Sequence, residues 1–541
     1  MHEFSILTIP NLLKDSVERF GERPALAFVG CKPLTYNILQ KEVNAVMAFL
    51  EQQGLEPGDR VAILSSNMPN WGVAFFAIAS MGIVIVPILP DFTDEEVENV
   101  LQHSEAKAIF VSDNLKKKVK LEGNHLKTII RIDDFSVSNL DKETKIDPEG
   151  KAKKKYSVKE DDLLSIIYTS GTTGKSKGVM LTHKNISSNA SASRYIQEIN
   201  EHDRFLSVLP LSHTYENTIG FILPIICGSS INYISKPPTP AVLLPALKEV
   251  RPTLMLTVPL IIEKIYKSKV LPAFTDKWAT RSLYKIPVLR KKFNALAGKK
   301  LMRTFGGELK FFGIGGAKLN KTVEKFLMEA KFPYAVGYGL TETSPLLAGM
   351  PPFKSKLQST GPLVKGVTLK IDNPGKYTGE GEIWAKGPNV MKGYYKEPEL
   401  TKEVLTDDGW FKTGDLGIID EDNYLFIRGR SKNVIIGPSG ENIFPEDIES
   451  VINNFKHVVE SLVISKKGKL VALVHFDRQE IEQKYKHVKE EVSDKCEELQ
   501  KELRVYVNSK VNKFSKVQTI IRQEEEFIKT ATKKIKRFLY S

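Results

Sequence analysis

The stretch YTSGTTGKSKGV, residues 168–179, sets the short hydroxyls of Ser170, Thr172 and Thr173 among Gly171 and Gly174, with Lys175 and Lys177 behind them. Hydroxyls and ammonium groups bind oxyanions, and glycine lets backbone N–H groups close on a ligand, so the chemistry on offer is the gripping of a phosphate chain. The triplet Gly174-Lys175-Ser176 matches the end of a hydrolase phosphate loop, but that device needs four residues between its two glycines. Thr169 stands where the first glycine belongs and Gly171 is too close. The register excludes the hydrolase loop. What remains is a different polyphosphate clamp or an ordinary solvated turn, since the same residue types dominate both.

The flanks predict how the loop is held. Residues 163–168 form a short apolar run fit for a buried strand, and 180–185 lead into helical composition, so the expectation is strand, loop, helix. Over about the first 430 residues apolar β-rich runs alternate with helical stretches, which implies mainly parallel sheets covered by helices. Residues 71–90 are uncharged throughout, long enough to raise the question of a membrane span. The segment changes character at Gly82, from Ala and Phe to the β-branched run 83–86, so it reads as helix, turn and doubly buried strand. Near the C-terminus, 458–465 and 469–476 read as paired strands around Lys466-Lys467-Gly468. Ile481, Tyr485, Val488, Val492, Cys496, Leu499 and Leu503 then recur at helical spacing, as on a packed amphipathic helix. A large α/β N-terminal domain followed by a small α+β C-terminal domain is the expected architecture.

Composition narrows the function classes. The chain has 541 residues, 41% of them hydrophobic, enough for a large core and more than one domain. Cys31, Cys227 and Cys496 lie far apart, and the nine histidines form no tight cluster, so neither a disulfide framework nor a caged transition metal is expected. The N-terminus carries no secretory pattern, which with the spread cysteines suggests a cytoplasmic setting. The formal charge of +13, with lysine-rich runs at 116–120 and 151–155, reads as solvated surface and leaves open peripheral contact with an anionic inner membrane face. No basic helix or basic–aromatic platform supports nucleic-acid binding.

Seven stretches in order carry a resemblance. YTSGTTGKSKG (168–178), LPLSHTYE (209–216), GIGGAKL (313–319), GYGLTETSP (337–345), WFKTGDLG (410–417), IRGRSKN (427–433) and KTATKKIKR (529–537) resemble the motifs of the adenylate-forming, or AMP-binding, superfamily, and the chain looks most like its bacterial long-chain fatty acyl-CoA synthetases. The resemblance implies an adenylation domain over 1–430 and a mobile C-terminal domain over 431–541, hinged at Lys432. It also implies ATP, Mg2+ and coenzyme A, and a fatty acid activated through acyl-adenylate to acyl-CoA with release of AMP and pyrophosphate. Transfer to an acyl-carrier-protein thiol uses the same pantetheine chemistry and stays open; a non-catalytic acyl or nucleotide sensor is the remaining alternative.

What the resemblance implies for single residues follows. Thr169, Ser170, Gly171, Thr172, Thr173, Gly174 and Lys177 would hold the phosphates. Gly315, Gly316 and Ala317 would lie against adenine and Tyr338 would stack on it, with Gly337, Gly339 and Thr341 beside them. Asp415 would grip the ribose hydroxyls, with Arg430 on ribose or phosphate. Glu342, with Thr169, would hold Mg2+, which takes one or two protein oxygens and fills its shell from phosphate and water. Lys534 would offset charge at the α-phosphate, although Lys533 replaces the usual glycine before it. Gly440, Glu441 and Asn442 would line the thiol tunnel, with Ile436 where relatives often have lysine.

Adenylation also needs a place for the acid. No aspartate stands where amino-acid-activating relatives pair the substrate ammonium, although Glu216 lies nearby. The apolar run 219–227, with 258–268, is expected to form a hydrocarbon tunnel, and His213 to sit between tunnel and adenylate.

Overall fold

The structure, a computed structural model, describes residues 2–540 apart from 121–122, 138–143, 171–175, 438–440, 479–480, 483–488 and 531–533. The uncharged segment resolves as expected into a helix, Pro69–Ser80, and a strand, Val84–Ile88. That helix is apolar all round because it has no solvent face. Its Trp71, Phe75 and Phe76 share one core with Leu26, Ile231 and Leu254 of one sheet and Val61, Ile63 and Ile85 of another. Among the described residues no helix is long and apolar enough to cross a membrane.

Two large sheets flank this core. In the first, Arg204–Ser207, Leu254–Thr257, Phe311–Ile314 and Tyr334–Gly339 run parallel as neighbours. In the second, the parallel centre is Arg60–Leu64, Val84–Ile88, Ala108–Val111 and Thr128–Arg131. Open parallel sheets present ligand-binding loops at the carboxyl ends of their strands. Three of the seven motifs follow such ends: 209–216 after Arg204–Ser207, 315–319 after Phe311–Ile314, and 340–345 after Tyr334–Gly339.

One expectation is met only in part. Residues 180–185 do lead into a helix, but a second strand, Ser176–Thr182, comes between it and the loop, paired antiparallel with Leu163–Ser170 in the register Thr169↔Lys177 and Ser170↔Ser176. The helix His183–Ser193 begins only after it, capped by Thr182. The described element that follows the Ser/Thr/Gly loop is therefore a strand, which offers no helix dipole. The reason is the alternation in 176–182, which buries Val179 and Leu181 against the core that a helix would have turned away from.

A four-stranded antiparallel sheet, Thr368–Asp372, Gly381–Lys386, Phe411–Ile419 and Leu425–Arg430, ends at Arg430. Beyond it a smaller unit has its own core, built from Ile443, Ile448, Leu470, Val474, Leu499 and Leu503 among others. Its strands Val458–Lys466 and Lys469–Phe476 turn through Lys467 and Gly468 at φ +51° and +72°, the left-handed pair a two-residue hairpin needs. The helix Lys489–Asn508 buries Cys496, Leu499 and Leu503 as the stripe predicts, while Tyr485 and Val488 lie outside the described residues. A third strand, Thr519–Arg522, joins parallel to the second; four residues are too few to announce themselves in the sequence. All three cysteines are free.

Candidate active site

Glu342 sits on the short turn Thr341–Thr343, and its Oε1 accepts a 2.9 Å hydrogen bond from the Tyr394 hydroxyl. The Lys177 ammonium lies over the same Tyr394 ring, 5.2 Å from its centre. Tyr394 thus joins the carboxylate of one motif to the lysine of another, and Thr169 is opposite Lys177 in the hairpin register. The turn is held by close backbone approach. A Cβ on Gly339 would fall 1.8 Å from the Pro345 carbonyl oxygen, so only glycine lets 340–345 fold back. Gly171, Thr172, Thr173, Gly174 and Gly440 lie outside the described residues, as does Lys533; Ser170 ends its strand at the loop.

Asp415 is buried on the strand Phe411–Ile419, directly opposite Arg430 on the next strand. Its Oδ1 meets Arg430 Nε at 2.7 Å and its Oδ2 accepts the Tyr338 hydroxyl at 2.7 Å. Burial raises the Asp415 pKa, with Arg430 and Tyr338 opposing the shift. The Tyr338 hydroxyl is therefore tied to a carboxylate suited to vicinal hydroxyls, which fixes ring and acid relative to each other.

The loop after Phe311–Ile314 differs from expectation in one respect. A Cβ on Gly315 would meet the Tyr215 ring at 3.1 Å, so that glycine makes room for a protein side chain. Gly316, at φ +84°, and Ala317 are the exposed positions left to face a ligand. His213 Nδ1 accepts the Tyr215 N–H at 3.2 Å, which leaves the neutral-ring proton on Nε2. Burial, and then the charge of Lys534, lower the His213 pKa to about 4.

Lys534 arrives from the far end of the chain. Its backbone closes on Thr530, Thr530 N–H donating to Lys534 O at 2.7 Å and Lys534 N–H to Thr530 Oγ1 at 3.2 Å. Lys529–Glu460 and Arg537–Glu449 ion pairs anchor this hairpin to the small unit. Lys534 keeps exposed surface, yet nearby protein desolvates its ammonium, and that desolvation, followed by Arg430, lowers its pKa while Asp415 and Glu342 pull the other way. Four charged groups from 342, 415, 430 and 534 thus act on one another. The small unit is held in this position by Lys318–Asp447 at 2.7 Å, Asn320 Nδ2 donating to Ser450 O at 3.1 Å, and Lys267 donating to Val458 O at 3.2 Å. Few polar contacts of this kind make a separable interface.

The apolar run is packed, with a small cavity beside it. Ile219 and Leu223 line a cavity of about 40 Å³ with Leu254, Leu256, Phe311 and Leu346, while Phe221, Ile222, Ile225 and Ile226 pack into the main core. The reason is helical geometry: residues four apart share a face, and the others turn away. In 258–268, Ile262 and Tyr266 pack into a second core that includes Phe326. A cavity of this volume is near one water's share of liquid, so an acyl chain must displace side chains to enter. Glu216 is buried on the π-helical turn Glu216–Ile222, with Oε1 accepting Ser207 Oγ at 2.5 Å and Oε2 unpartnered; it is not among the cavity's lining residues.

Lys432 is exposed on the turn Ser431–Asn433, and Glu441 and Asn442 lie at and within the second strand of a small hairpin, Ile435–Ile436 with Asn442–Ile443. Sequence reasoning missed Tyr394 and Thr413. Thr413 Oγ1 accepts the Asp415 N–H at 3.0 Å and donates to Ile383 O at 2.7 Å, fixing the bend at Gly414. Nothing local in MKGYYK (391–396) marks Tyr394, whose partner is 52 residues away.

Comparison with known proteins identifies the family and the fold. The profile of the AMP-binding enzyme family matches residues 13–395. A long-chain-fatty-acid–CoA ligase of Mycobacterium bovis is 30% identical over 474 residues, covering 82% of this chain and 77% of that protein. One from Yersinia pestis is 29% identical over 494 residues, covering 84% and 82%. Among solved structures, an anthranilate CoA ligase in complex with anthranoyl-AMP superposes with TM-score 0.78 at 21% identity, covering 98% of this chain and 96% of that one. ATP-bound MatB from Rhodopseudomonas palustris superposes with TM-score 0.77 at 23% identity, covering 98% of each chain.

Proposed function

The chain belongs to the family of AMP-binding enzymes and is an AMP-forming acid–thiol ligase, and we propose that its acid is a long-chain fatty acid and its thiol that of coenzyme A. The observation that carries the assignment of roles is the convergence of Lys534 on Arg430, Asp415 and Glu342. A carboxylate is inert to thiols because its leaving group would be oxide. Attack of a carboxylate oxygen on the α-phosphorus of ATP forms acyl-AMP and breaks the bond to pyrophosphate, so AMP becomes the leaving group when the thiol attacks. The protein must bring two anions together and offset the charge that grows at the α-phosphate.

The Lys534 ammonium takes that role, its depressed pKa reflecting a site that holds a cation poorly until an anion arrives. Asp415 takes the ribose hydroxyls, Tyr338 the base, and Lys177 with the 170–174 loop the outer phosphates. Glu342 Oε2 and the Thr169 hydroxyl are hard oxygen donors of the kind Mg2+ accepts, and among the described residues no His, Cys, Asp and Glu group forms a fuller cage. Bound there, Mg2+ would neutralise part of the polyphosphate charge. The neutral His213 offers an Nε2–H donor between adenylate and acyl cavity.

The long-chain reading rests on the named ligases above and on the apolar cavity at Ile219 and Leu223. The two half-reactions share the cleft if the unit after 430 swings about Lys432, exchanging Lys534 for Gly440, Glu441 and Asn442. Supplying ATP, Mg2+ and a panel of acids, with CoA or an acyl carrier protein as acceptor, tests this. AMP and pyrophosphate with long-chain acids, and acyl-CoA by mass, are expected. ADP and orthophosphate would overturn α-phosphate attack; turnover confined to amino or aryl acids would overturn the substrate, and transfer only to carrier protein the acceptor.

A further inference from the structure

Residues 264–303 contain twelve Lys and Arg against a single acid, Asp276. Most of the chain's formal excess of +13 therefore sits in forty residues. In the lysine runs that the sequence first brings to notice, Lys118 donates to Pro90 O and Phe92 O, Lys120 pairs with Glu98, and Lys154 pairs with Glu56. The 264–303 segment concentrates more charge than either run.

Its main helix, Pro287–Thr304, is seated by its inner face. Arg290 and Asn294 bind Glu329, Tyr284 donates to Asn294 Oδ1, Phe293 packs on Phe274, and a Cβ on Gly298 would strike the Ala330 carbonyl at 2.2 Å. The opposite face carries Val288, Lys292, Leu296, Lys299 and Arg303, spaced four, four, three and four, so they form one outward stripe. Val288 is 65% exposed and Leu296 63%, and Lys292, Lys299 and Arg303 make no ion pair among the described residues. On the preceding helix, Trp278–Tyr284, the indole of Trp278 is 78% exposed, with Leu283 and then Ile286 also open to solvent.

We propose that this face is a docking surface for an anionic phospholipid bilayer, with the Val288–Arg303 stripe and Trp278 entering the headgroup layer. Apolar residues exposed in a contiguous patch need a partner that accepts them, and the interleaved cations fix its sign. A helix lying in a membrane plane has this composition, basic side chains reaching headgroup phosphates while their neighbours and an amphipathic indole sink to the acyl boundary. Nucleic acid would satisfy the lysines but leave Trp278, Val288 and Leu296 in water. The inference stands whichever acid the enzyme activates, because it uses none of the cleft residues.

The test uses the full-length protein and sedimentation with vesicles of phosphatidylcholine, with and without phosphatidylserine. Co-sedimentation with the phosphatidylserine vesicles alone is expected. Each basic residue near an anionic leaflet is worth roughly fivefold in binding, so Lys292→Glu, Lys299→Glu and Arg303→Glu combined should weaken it at least ~100-fold. AMP formation by that variant from detergent-free soluble acid should match the parent, which controls for folding. As a second measurement needing no charge variant, tryptophan emission of the parent should be quenched by brominated phospholipid, and Trp278→Phe should abolish that quenching. Equal binding to neutral vesicles, unaltered binding of the triple variant, or quenching that survives Trp278→Phe overturns the proposal. So does saturable binding to a soluble acidic protein or to RNA with none to vesicles.

Discussion

Replacing Glu216 by Gln should stabilise the protein, and more so as the pH rises. Burial raises the Glu216 pKa from 4.5 to about 8, so the folded chain holds a proton there that the unfolded chain releases above its ordinary value. A carboxyl with a raised folded pKa contributes its full stability below the unfolded value and loses it as pH climbs to the folded one. Each pH unit in that window costs about 1.4 kcal/mol, which amounts to about 3 kcal/mol at pH 7 and, with the folded group half ionised, about 4 kcal/mol at pH 8. Glutamine keeps the amide oxygen that accepts Ser207 Oγ and places an NH2 where the acid has its unpartnered oxygen, so it copies the protonated form without the titration. The two proteins should therefore unfold alike near pH 5 and diverge toward pH 8, with the variant higher. Thermal midpoints of both across this range give the result. The chain has more than one cooperative unit, so the readout is the sign and pH trend of the difference. Adenylation should be retained, because Glu216 is not among the residues that line the cavity at Ile219 and Leu223. A difference that stays flat with pH, or a variant less stable at pH 8, would refute the neutral-acid account. Loss of turnover with unchanged stability would place Glu216 in the chemistry instead.

Lys534→Ala should lower acyl-AMP formation by at least ~100-fold while thioester formation from supplied acyl-AMP persists; damage from Lys533→Ala with a mild Lys534→Ala would shift the lysine by one position. Lys432→Pro fixes φ near −65° and removes an N–H, so acyl-AMP should remain measurable while acyl-CoA formation is mostly lost, and equal loss in both half-reactions would discard the hinge. Tyr394→Phe strips Glu342 Oε1 of its hydroxyl donor, and loss of such a supporting bond should raise the Mg2+ concentration for half-maximal rate about tenfold. An unchanged Mg2+ titration would show that Tyr394 only packs.

The sequence by itself determined what is local or ordered along the chain. The break in character at Gly82 was enough to separate a buried helix from a buried strand, the Lys-Gly turn to place a hairpin, and the spacing of Cys496, Leu499 and Leu503 to place a helix face, because each signal lies within a few residues of what it specifies. The ordered motifs likewise named the family. Tertiary structure decided the rest. It made 176–182 a strand by offering a neighbour to pair with, and it divided the apolar run so that Ile219 and Leu223 face a cavity while Phe221 and Ile225 face the core. It joined Tyr394 to Glu342 and carried Lys534 to Asp415 and Arg430, more than a hundred residues away. It also spread basic and apolar residues of 287–304 over one outward stripe whose burial or exposure no local pattern reveals. Charges and faces acquire meaning only from what stands opposite them, and in a chain folded through several sheets that partner is set by packing at long range, not by neighbours in sequence.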